Sequence, residues 1–240
     1  MWMILLVVIL LIILIARYFA LKYLKSQNPL IELRTVTHQS PVFPQGFIFA
    51  VSTAAYQIEE NIPPSNWSDW ATKTKPNGEP RCPKDDDKCC GLKFFKEDVS
   101  LMKNINFQIY RFSISWSRIN PTEGVFDSEA LQIYIDQCTY LRSNNIEPLV
   151  TLWHFEHPLW VEKKGGLLSP DYPSYFEQFV NFVVPKLKGS CIWFHTLNEP
   201  CGYSFSAMFL GLFPPGYHGI NGFATAVCTL FKCHVKAYDI

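Results

Sequence analysis

The chain has 240 residues, of which 48% are hydrophobic and 15% are aromatic, and its 21 basic residues balance its 21 acidic residues. This share of apolar residues is compatible with a compact domain, whereas the neutral net charge gives no electrostatic reason for a polyanionic partner. Because the sequence also has no long basic run and no RNA-binding aromatic signature, we expect no nucleic acid among its partners.

The N-terminal segment is strongly apolar. Every residue from Trp2 to Ala16 is apolar, and basic residues follow directly. Extended to Leu21, the segment has about the length of a short transmembrane helix. We therefore predict that residues 1–25 form a hydrophobic membrane anchor or signal segment, which contacts the membrane through residues 2–21. A single-pass anchor is favoured because no cleavage site is plain, and secretion after signal cleavage is the alternative.

The side of the membrane is left open by the sequence. The positive-inside tendency would place the basic flank, and with it the rest of the chain, in the cytosol. In a lumenal domain, by contrast, the sequon Asn66-Trp67-Ser68 would be usable for glycosylation. Residues 26–40 are predicted to be a linker to a domain over residues 41–240.

Within that domain, apolar runs typical of buried strands alternate with helical patterns. The predicted strands lie near Phe47–Ser52, Ile109–Ser113, Pro148–Leu152 and Ile192–Leu197. The predicted helices cover Phe94–Met102, Ser128–Asn144 and Tyr172–Leu187, and a last one runs from Ala224 to Tyr238. Four strand-helix units in succession predict an α/β fold with a parallel sheet.

The cysteines do not predict a metal site. Cys82, Cys89 and Cys90 share one polar loop, where a disulfide could form in an oxidising compartment. Neither a C-x-x-C pair nor a Cys/His set at zinc spacing is present among the eight cysteines. We therefore predict no metal ion and no cofactor.

A candidate catalytic group lies at the end of the fourth predicted strand. The run Thr196-Leu197-Asn198-Glu199-Pro200 places an Asn-Glu pair after a buried strand, and the proline stops that strand. A glutamate in this position can exchange a proton with a glycosidic oxygen while the asparagine holds a sugar hydroxyl. A polar turn without chemistry is the alternative for the pentapeptide alone.

Further segments, together with this pentapeptide, resemble the family 1 glycoside hydrolases over about residues 41–240. They are Phe43-Pro44-Gln45-Gly46-Phe47, the stretch Ala54–Glu59, the stretch Tyr110–Arg118, Thr151-Leu152-Trp153-His154-Phe155 and Pro214-Pro215-Gly216. The resemblance implies a TIM (β/α)8-barrel type of fold, of which this chain supplies about the first four βα units after its N-terminal hydrophobic helix. It also implies a β-glucosidase-like hydrolysis of O-glycosidic bonds in a β-linked glycoside or oligosaccharide.

The resemblance implies a role for each of five residues. Glu199 would be the general acid and then the base, with a pKa raised by burial and by a neighbouring carboxylate. Asn198 would bind the hydroxyl next to the anomeric carbon, and Gln57 and His154 would hold hydroxyls of the non-reducing sugar. Arg111 would hydrogen-bond the nucleophilic carboxylate and keep it ionised. Three of these residues have a structural alternative. Gln57 could be a loop residue that satisfies backbone groups, His154 a hydrogen-bonded histidine at a strand end, and Arg111 one half of a structural ion pair.

The second carboxylate of a retaining glycosidase is not found in the sequence. In the family it belongs to an Ile/Val-Thr-Glu-Asn-Gly motif on a late strand, and these 240 residues have no such motif. Glu59, Glu60 and Glu156 are available acids, but each lies in a loop after an early strand. We therefore expect a chain that is the N-terminal half of a barrel and is inactive alone. The alternatives are a non-catalytic sugar-binding or receptor-like barrel protein and a truncated relic.

Overall fold

The computed structural model describes residues 11, 13–23, 43–82 and 88–240. The chain divides into two units, Met1–Phe47 and Ile48–Ile240. In the first unit, residues 13–23 are helical and their side chains are exposed. The second unit contains the sheet, the core and all five candidate site residues.

The predicted membrane anchor over residues 2–21 is contradicted by the structure. Among the described residues, no helix has the length and the apolar character that are needed to cross a membrane. Residues 1–10, 12, 24 and 25 of the predicted segment, and the predicted linker over residues 26–40, lie outside the described residues.

A sheet of four parallel strands organises the second unit, as the alternation of strands and helices predicts. The strands lie in the order β1 (Ala50–Ser52), β2 (Ile109–Ser113), β3 (Glu147–Trp153) and β4 (Trp193–Leu197). Ser113 pairs with Thr151, which in turn pairs with His195. The carboxyl ends of the strands therefore meet at one edge of the sheet, where an α/β barrel places its active site.

Helices follow the strands and cover one face of the sheet. They are α1 (Ala55–Ile58), α2 (Asn66–Ala71), α3 (Phe95–Asn104), α4 (Trp116–Ile119), α5 (Ser128–Ser143), α6 (Leu159–Lys163), α7 (Tyr172–Leu187), α8 (Pro200–Ser204) and α9 (Ile220–Tyr238). A 3₁₀ turn at Gly166–Leu168 precedes α7, and a π turn at Phe205–Phe209 follows α8. Asp127 caps α5 by accepting hydrogen bonds from two backbone N–H groups of the first turn.

Helix α9 begins four residues before the predicted start. The apolar periodicity becomes regular only at Ala224, whereas the helix begins at Ile220. Its early residue Gly222 lies against the Tyr217 ring, where an added Cβ would come within 2.6 Å of the ring carbons. A glycine therefore permits the close approach at this point, although glycine does not favour a helix in sequence.

The core lies between the sheet and the helices, around Trp116. This side chain is fully buried and stacks on Phe179, with 5.1 Å between the ring centroids, while Phe176 and Tyr172 meet it edge-on. Every residue of β3 from Val150 to Trp153 is buried, and so are Tyr110 and Phe112 of β2. The apolar packing fixes the distance between helix and sheet, and hence the position of the strand ends.

Two buried acidic residues, Glu59 and Glu156, connect loops through hydrogen bonds. Glu59 accepts hydrogen bonds from Tyr134 at 2.9 and 3.0 Å and pairs with Arg118 Nε at 3.2 Å. Burial raises the pKa of Glu59 to about 7, although the guanidinium acts in the opposite direction. Glu156 accepts hydrogen bonds from the backbone N–H groups of Trp116 and Ser117, at 3.0 and 3.1 Å. Both carboxyl groups thus hold loops at the carboxyl edge of the sheet.

The sequon at Asn66 lies inside the fold. The Asn66 side chain is 1% exposed, and its Nδ2 donates to Phe155 O at 3.0 Å and to Tyr203 Oη at 3.1 Å. Its Oδ1 accepts from the backbone N–H of His157 at 3.1 Å. Because the amide is enclosed and already bonded, the folded domain does not present it for glycosylation.

The ion pair of Arg118 with Glu59 can be tested by its effect on stability. Replacing Arg118 with Met should lower the free energy of unfolding by about 3 kcal/mol, because a buried carboxyl group then loses its charged partner. The double variant Glu59→Gln/Arg118→Met should recover part of this loss. Urea unfolding of the purified chain measures both effects.

Arg142→Met is the matched control for that experiment. Arg142 pairs with Glu147 at 3.0 Å, but both side chains are about one-third exposed. Partly exposed ion pairs contribute about 1 kcal/mol or less. Equal losses of unfolding free energy in Arg118→Met and Arg142→Met would show that burial does not increase the contribution of the Glu59–Arg118 ion pair to stability.

Candidate active site

The site is organised around the Arg111 side chain at the carboxyl end of β2. Its Nε donates to Thr151 Oγ1 on β3 at 2.9 Å. Its Nη2 lies 2.6 Å from Asn198 Oδ1, just after β4, and 2.9 Å from His195 Nδ1 on β4. One guanidinium therefore links three strands, and it does so with three of its five N–H donors.

The remaining donors of Arg111 are the two on Nη1. Among the described residues, Nη1 has no hydrogen-bond partner. Burial lowers the pKa of Arg111, and the charge of Glu199 acts in the opposite direction. A guanidinium stays protonated under all ordinary conditions, so Nη1 can offer two charge-assisted hydrogen bonds to an anion.

Asn198 is held in one orientation. Its backbone N–H donates to Trp153 O at 2.9 Å, and its side chain is buried. Because Arg111 can only donate, the amide oxygen of Asn198 must face it. The amide Nδ2 is thereby turned away from Arg111 and can donate to a hydroxyl oxygen of a ligand.

Glu199 has an unusual backbone conformation. Its φ of 39° and ψ of 57° lie in the left-handed region, which is uncommon for any residue other than glycine, and Pro200 then starts α8. Such conformations concentrate at functional sites. The carboxyl group lies beside the first turn of α8, since a Cβ on Gly202 would make an ordinary van der Waals contact with Glu199 Oε2 at 3.4 Å. The Glu199 side chain is exposed, so the burial expected for a general acid is not supplied by the described residues.

His154 lies at the end of β3. Its Nδ1 is buried and has no hydrogen-bond partner among the described residues. Burial lowers the pKa of His154 to about 4, and the positive charges of Arg111 and His195 add to the effect. The imidazole is therefore neutral near pH 7, with one nitrogen available as a donor and one as an acceptor.

Gln57 lies apart from this network. It is exposed on α1, directly after β1. In the described part of the chain, no hydrogen bond joins it to Arg111 or Asn198. The structure thus brings Arg111 and Asn198 into direct contact and places His154 within electrostatic reach of Arg111, while Gln57 stays at the same edge of the sheet without a bond to them.

Thr151 and His195 are two site residues that sequence reasoning missed. Both bond Arg111, and both lie at interior positions of paired strands. Alternate residues of a strand face the same side, so these two residues could be grouped with Arg111 only once the strand bounds and the register were known. No group of three or more His, Cys, Asp or Glu side chains able to hold a metal ion occurs within the described residues.

Comparison with known proteins gives one consistent result. The sequence model described as Glycosyl hydrolase family 1 matches residues 39–240. Myrosinase 1 of Brevicoryne brassicae is 35% identical over 210 residues, with 82% of this chain and 44% of the relative covered. The cytosolic beta-glucosidase of Homo sapiens is 33% identical over 205 residues, with 82% of this chain and 43% of the relative covered. The chain thus spans less than half the length of these curated relatives.

Solved structures show the same family. A GH1 beta-glucosidase from Exiguobacterium antarcticum superposes with a TM-score of 0.77 at 30% identity, covering 82% of this chain and 45% of that protein. The beta-glucosidase from Thermotoga maritima in complex with castanospermine gives a TM-score of 0.75 at 29% identity, covering 82% and 46%. These likenesses confirm the predicted α/β barrel type of fold and the resemblance to the family.

The environment of His154 predicts how stability changes with pH. The unfolded chain binds a proton at His154 below about pH 6.5, whereas the folded chain does so only below about pH 4. The free energy of unfolding should therefore fall as the pH falls from about 6.5 to about 4. In His154→Asn this part of the pH dependence should be lost.

Urea unfolding at a series of pH values measures the effect. His218→Asn is the control, because the structure shows no contact of His218 with Arg111 or His195. If wild type and His154→Asn lose stability equally over this range, the buried neutral state of His154 is wrong.

Proposed function

The chain belongs to glycosyl hydrolase family 1, and on that basis we propose that this protein hydrolyses the O-glycosidic bonds of β-linked glycosides. The observation that carries the proposal is the contact of Arg111 with Asn198 at 2.6 Å, next to Glu199 in its left-handed conformation. This contact supplies a fixed amide, a cation with free donors and a carboxyl group at one edge of the sheet. These are the groups that sugar hydrolysis with a positioned acid needs.

We assign the general acid and base to Glu199. As the acid, its carboxyl group gives a proton to the glycosidic oxygen while the bond breaks, and as the base it takes a proton from the water that attacks next. The left-handed backbone of Glu199 and Pro200 at the start of α8 favour this assignment, because they turn the chain directly after the strand end. The proton transfer requires exclusion of water around Glu199 when the substrate is bound.

Sugar positioning is assigned to three residues. Asn198 Nδ2 donates to the hydroxyl next to the anomeric carbon, and Arg111 keeps the amide from turning over. His154 and Gln57 hold hydroxyls of the non-reducing sugar. The neutral state of His154 at the end of β3 supports a role in binding a neutral polyol.

We propose that the nucleophilic carboxylate is not among these 240 residues. A retaining mechanism needs it about 5 to 5.5 Å from the acid. Glu59 and Glu156 are already bonded inside the fold. Arg111 Nη1 is the group that would receive the incoming carboxylate and keep it ionised. This chain covers 44% and 43% of the length of two curated relatives, which agrees with a nucleophilic carboxylate that lies outside these residues.

Glucosides are the proposed substrate class. Several relatives carry the name beta-glucosidase, and structures of the Thermotoga maritima enzyme contain castanospermine or deoxynojirimycin. A non-catalytic sugar-binding protein is the second candidate, and the exposure of Glu199 favours it. The two candidates differ in turnover and agree in sugar binding.

The activity is tested with an aryl β-glucoside. In a form of the protein that contains a second carboxylate, Glu199→Gln should lower kcat about 1,000-fold, because the variant cannot transfer the proton. Glu177→Gln is the control, since Glu177 pairs with Lys236 on the helical face of the domain. The 240-residue chain alone should show no turnover.

Three results would decide against parts of this proposal. Hydrolysis by the 240-residue chain that Glu199→Gln abolishes would contradict the missing nucleophile. An unchanged rate in Glu199→Gln of the longer form would contradict the assigned acid. Binding of deoxynojirimycin by the longer form without any hydrolysis would favour the non-catalytic alternative.

A further inference from the structure

His195 is a histidine on β4 that the proposed mechanism does not use. It lies next to Arg111, with 2.9 Å between His195 Nδ1 and Arg111 Nη2. We propose that His195 is a positioning residue, which fixes Arg111 through a neutral Nδ1 acceptor and releases it on protonation. The consequence for catalysis rests on the proposed function, whereas the contact itself does not.

The hydrogen bonds of Arg111 determine the protonation state and the tautomer of His195. Nη2 has two hydrogens, and its two neighbours are Asn198 Oδ1 and His195 Nδ1. Since a guanidinium only donates, both neighbours must accept. An imidazole accepts at Nδ1 only when it is neutral and carries its proton on Nε2. The contact therefore selects one tautomer of His195.

The surroundings of His195 oppose its protonation. Burial lowers the pKa of His195, and the charges of Arg111 and of His234 on α9 lower it further. On the neighbouring strand end, His154 interacts electrostatically with both Arg111 and His195. His234 Nδ1 is held 2.8 Å from Thr196 Oγ1 on β4. The groups that face His195 are thus a guanidinium and two imidazoles, and the opposing charge is that of Glu199 acting on Arg111.

Protonation of His195 would change the site in one step. Nδ1 would become a donor that faces another donor, and an imidazolium would lie beside the guanidinium. Arg111 would lose one of its three fixed contacts, and the Asn198 amide oxygen would lose a well-placed partner. Acid would in this way disorder the two groups that hold the sugar hydroxyl and the nucleophile.

Two substitutions separate the acceptor from the charge. His195→Asn keeps a neutral oxygen acceptor near the position of Nδ1 and cannot be protonated. His195→Leu has a similar size but no acceptor. His195 is half-buried on an outer strand, so both variants are compatible with the core. His234→Asn is the matched control, because it alters the other imidazole near β4 without touching Arg111.

The contact is tested first in the 240-residue chain. With ¹⁵N-labelled histidine, we expect the NMR spectrum to show His195 with an unprotonated Nδ1 at neutral pH and a titration midpoint below that of an ordinary histidine. The midpoint should rise in Arg111→Met and remain within about 0.3 units in Glu177→Gln, since a distant surface charge is screened. A protonated Nδ1 at neutral pH, or a midpoint that Arg111→Met leaves unchanged, would overturn the proposal whether or not the protein is a glycosidase.

The consequence is tested with the aryl β-glucoside in the form of the protein that contains a second carboxylate. We expect His195→Leu to lower kcat about 10-fold with little change in KM, because one hydrogen bond to a charged group is lost. His195→Asn should keep most of kcat, and its acid limb should lie at lower pH than that of wild type. His234→Asn should keep the kcat of wild type, because it leaves the contact of His195 with Arg111 in place.

The outcomes distinguish a failure of the proposed function from a failure of the role proposed for His195. If wild type shows no hydrolysis, the proposed function fails, and the NMR titration alone decides the role of His195. If wild type is active but His195→Leu and His195→Asn have equal kcat and equal acid limbs, His195 is only a packing residue. A lower acid limb in His195→Asn, which His234→Asn does not reproduce, supports the positioning role.

Discussion

The arrangement of the candidate site depends on one interaction at the carboxyl edge of the sheet, between the guanidinium of Arg111 on β2 and acceptors at the ends of β3 and β4. Thr151, His195 and Asn198 each supply one acceptor. Parallel pairing makes this possible, because it brings the carboxyl ends of β2, β3 and β4 to the same height at one edge. Because the donors of the planar Arg111 guanidinium have fixed directions, the register of the strands determines how the Asn198 side-chain amide is oriented.

Beneath this edge, the buried carboxyl groups hold loops in place, and they contribute more to geometry than to stability. Glu59 joins the end of α1 to Arg118 and Tyr134, and Glu156 accepts from the first N–H groups of α4. Removing buried charges from water costs about as much as their pairing returns. Their effect is to make one loop conformation much better than the others, since a buried carboxyl group without its partners is strongly unfavourable.

The sequence predicted the elements whose residues repeat with a regular period. Helix α7 was predicted with its observed bounds, because its apolar residues recur every three or four positions around a complete core face. The apolar period did not predict the start of α9, where the close contact of Gly222 with Tyr217 lies outside any regular pattern. Hydropathy alone predicted a membrane span, which no helix among the described residues provides. At the site, family motifs named Arg111 and Asn198, but Thr151 and His195 became recognisable only with the strand register. Interior-facing residues of a strand look alike in sequence until the neighbouring strand is aligned.

Glu199 and Trp193 are both exposed, and both lie on or directly after β4. Within the described residues β4 pairs with β3 alone, and Trp193 is 56% exposed on it. On an exposed and unpaired side of a strand, the charge of Arg111 is screened more strongly than it would be in a closed site. Covering that side would strengthen the contacts of Arg111 and desolvate Glu199 at the same time. The chemistry proposed for Glu199 therefore depends on sheet pairing as much as on the residues that surround it.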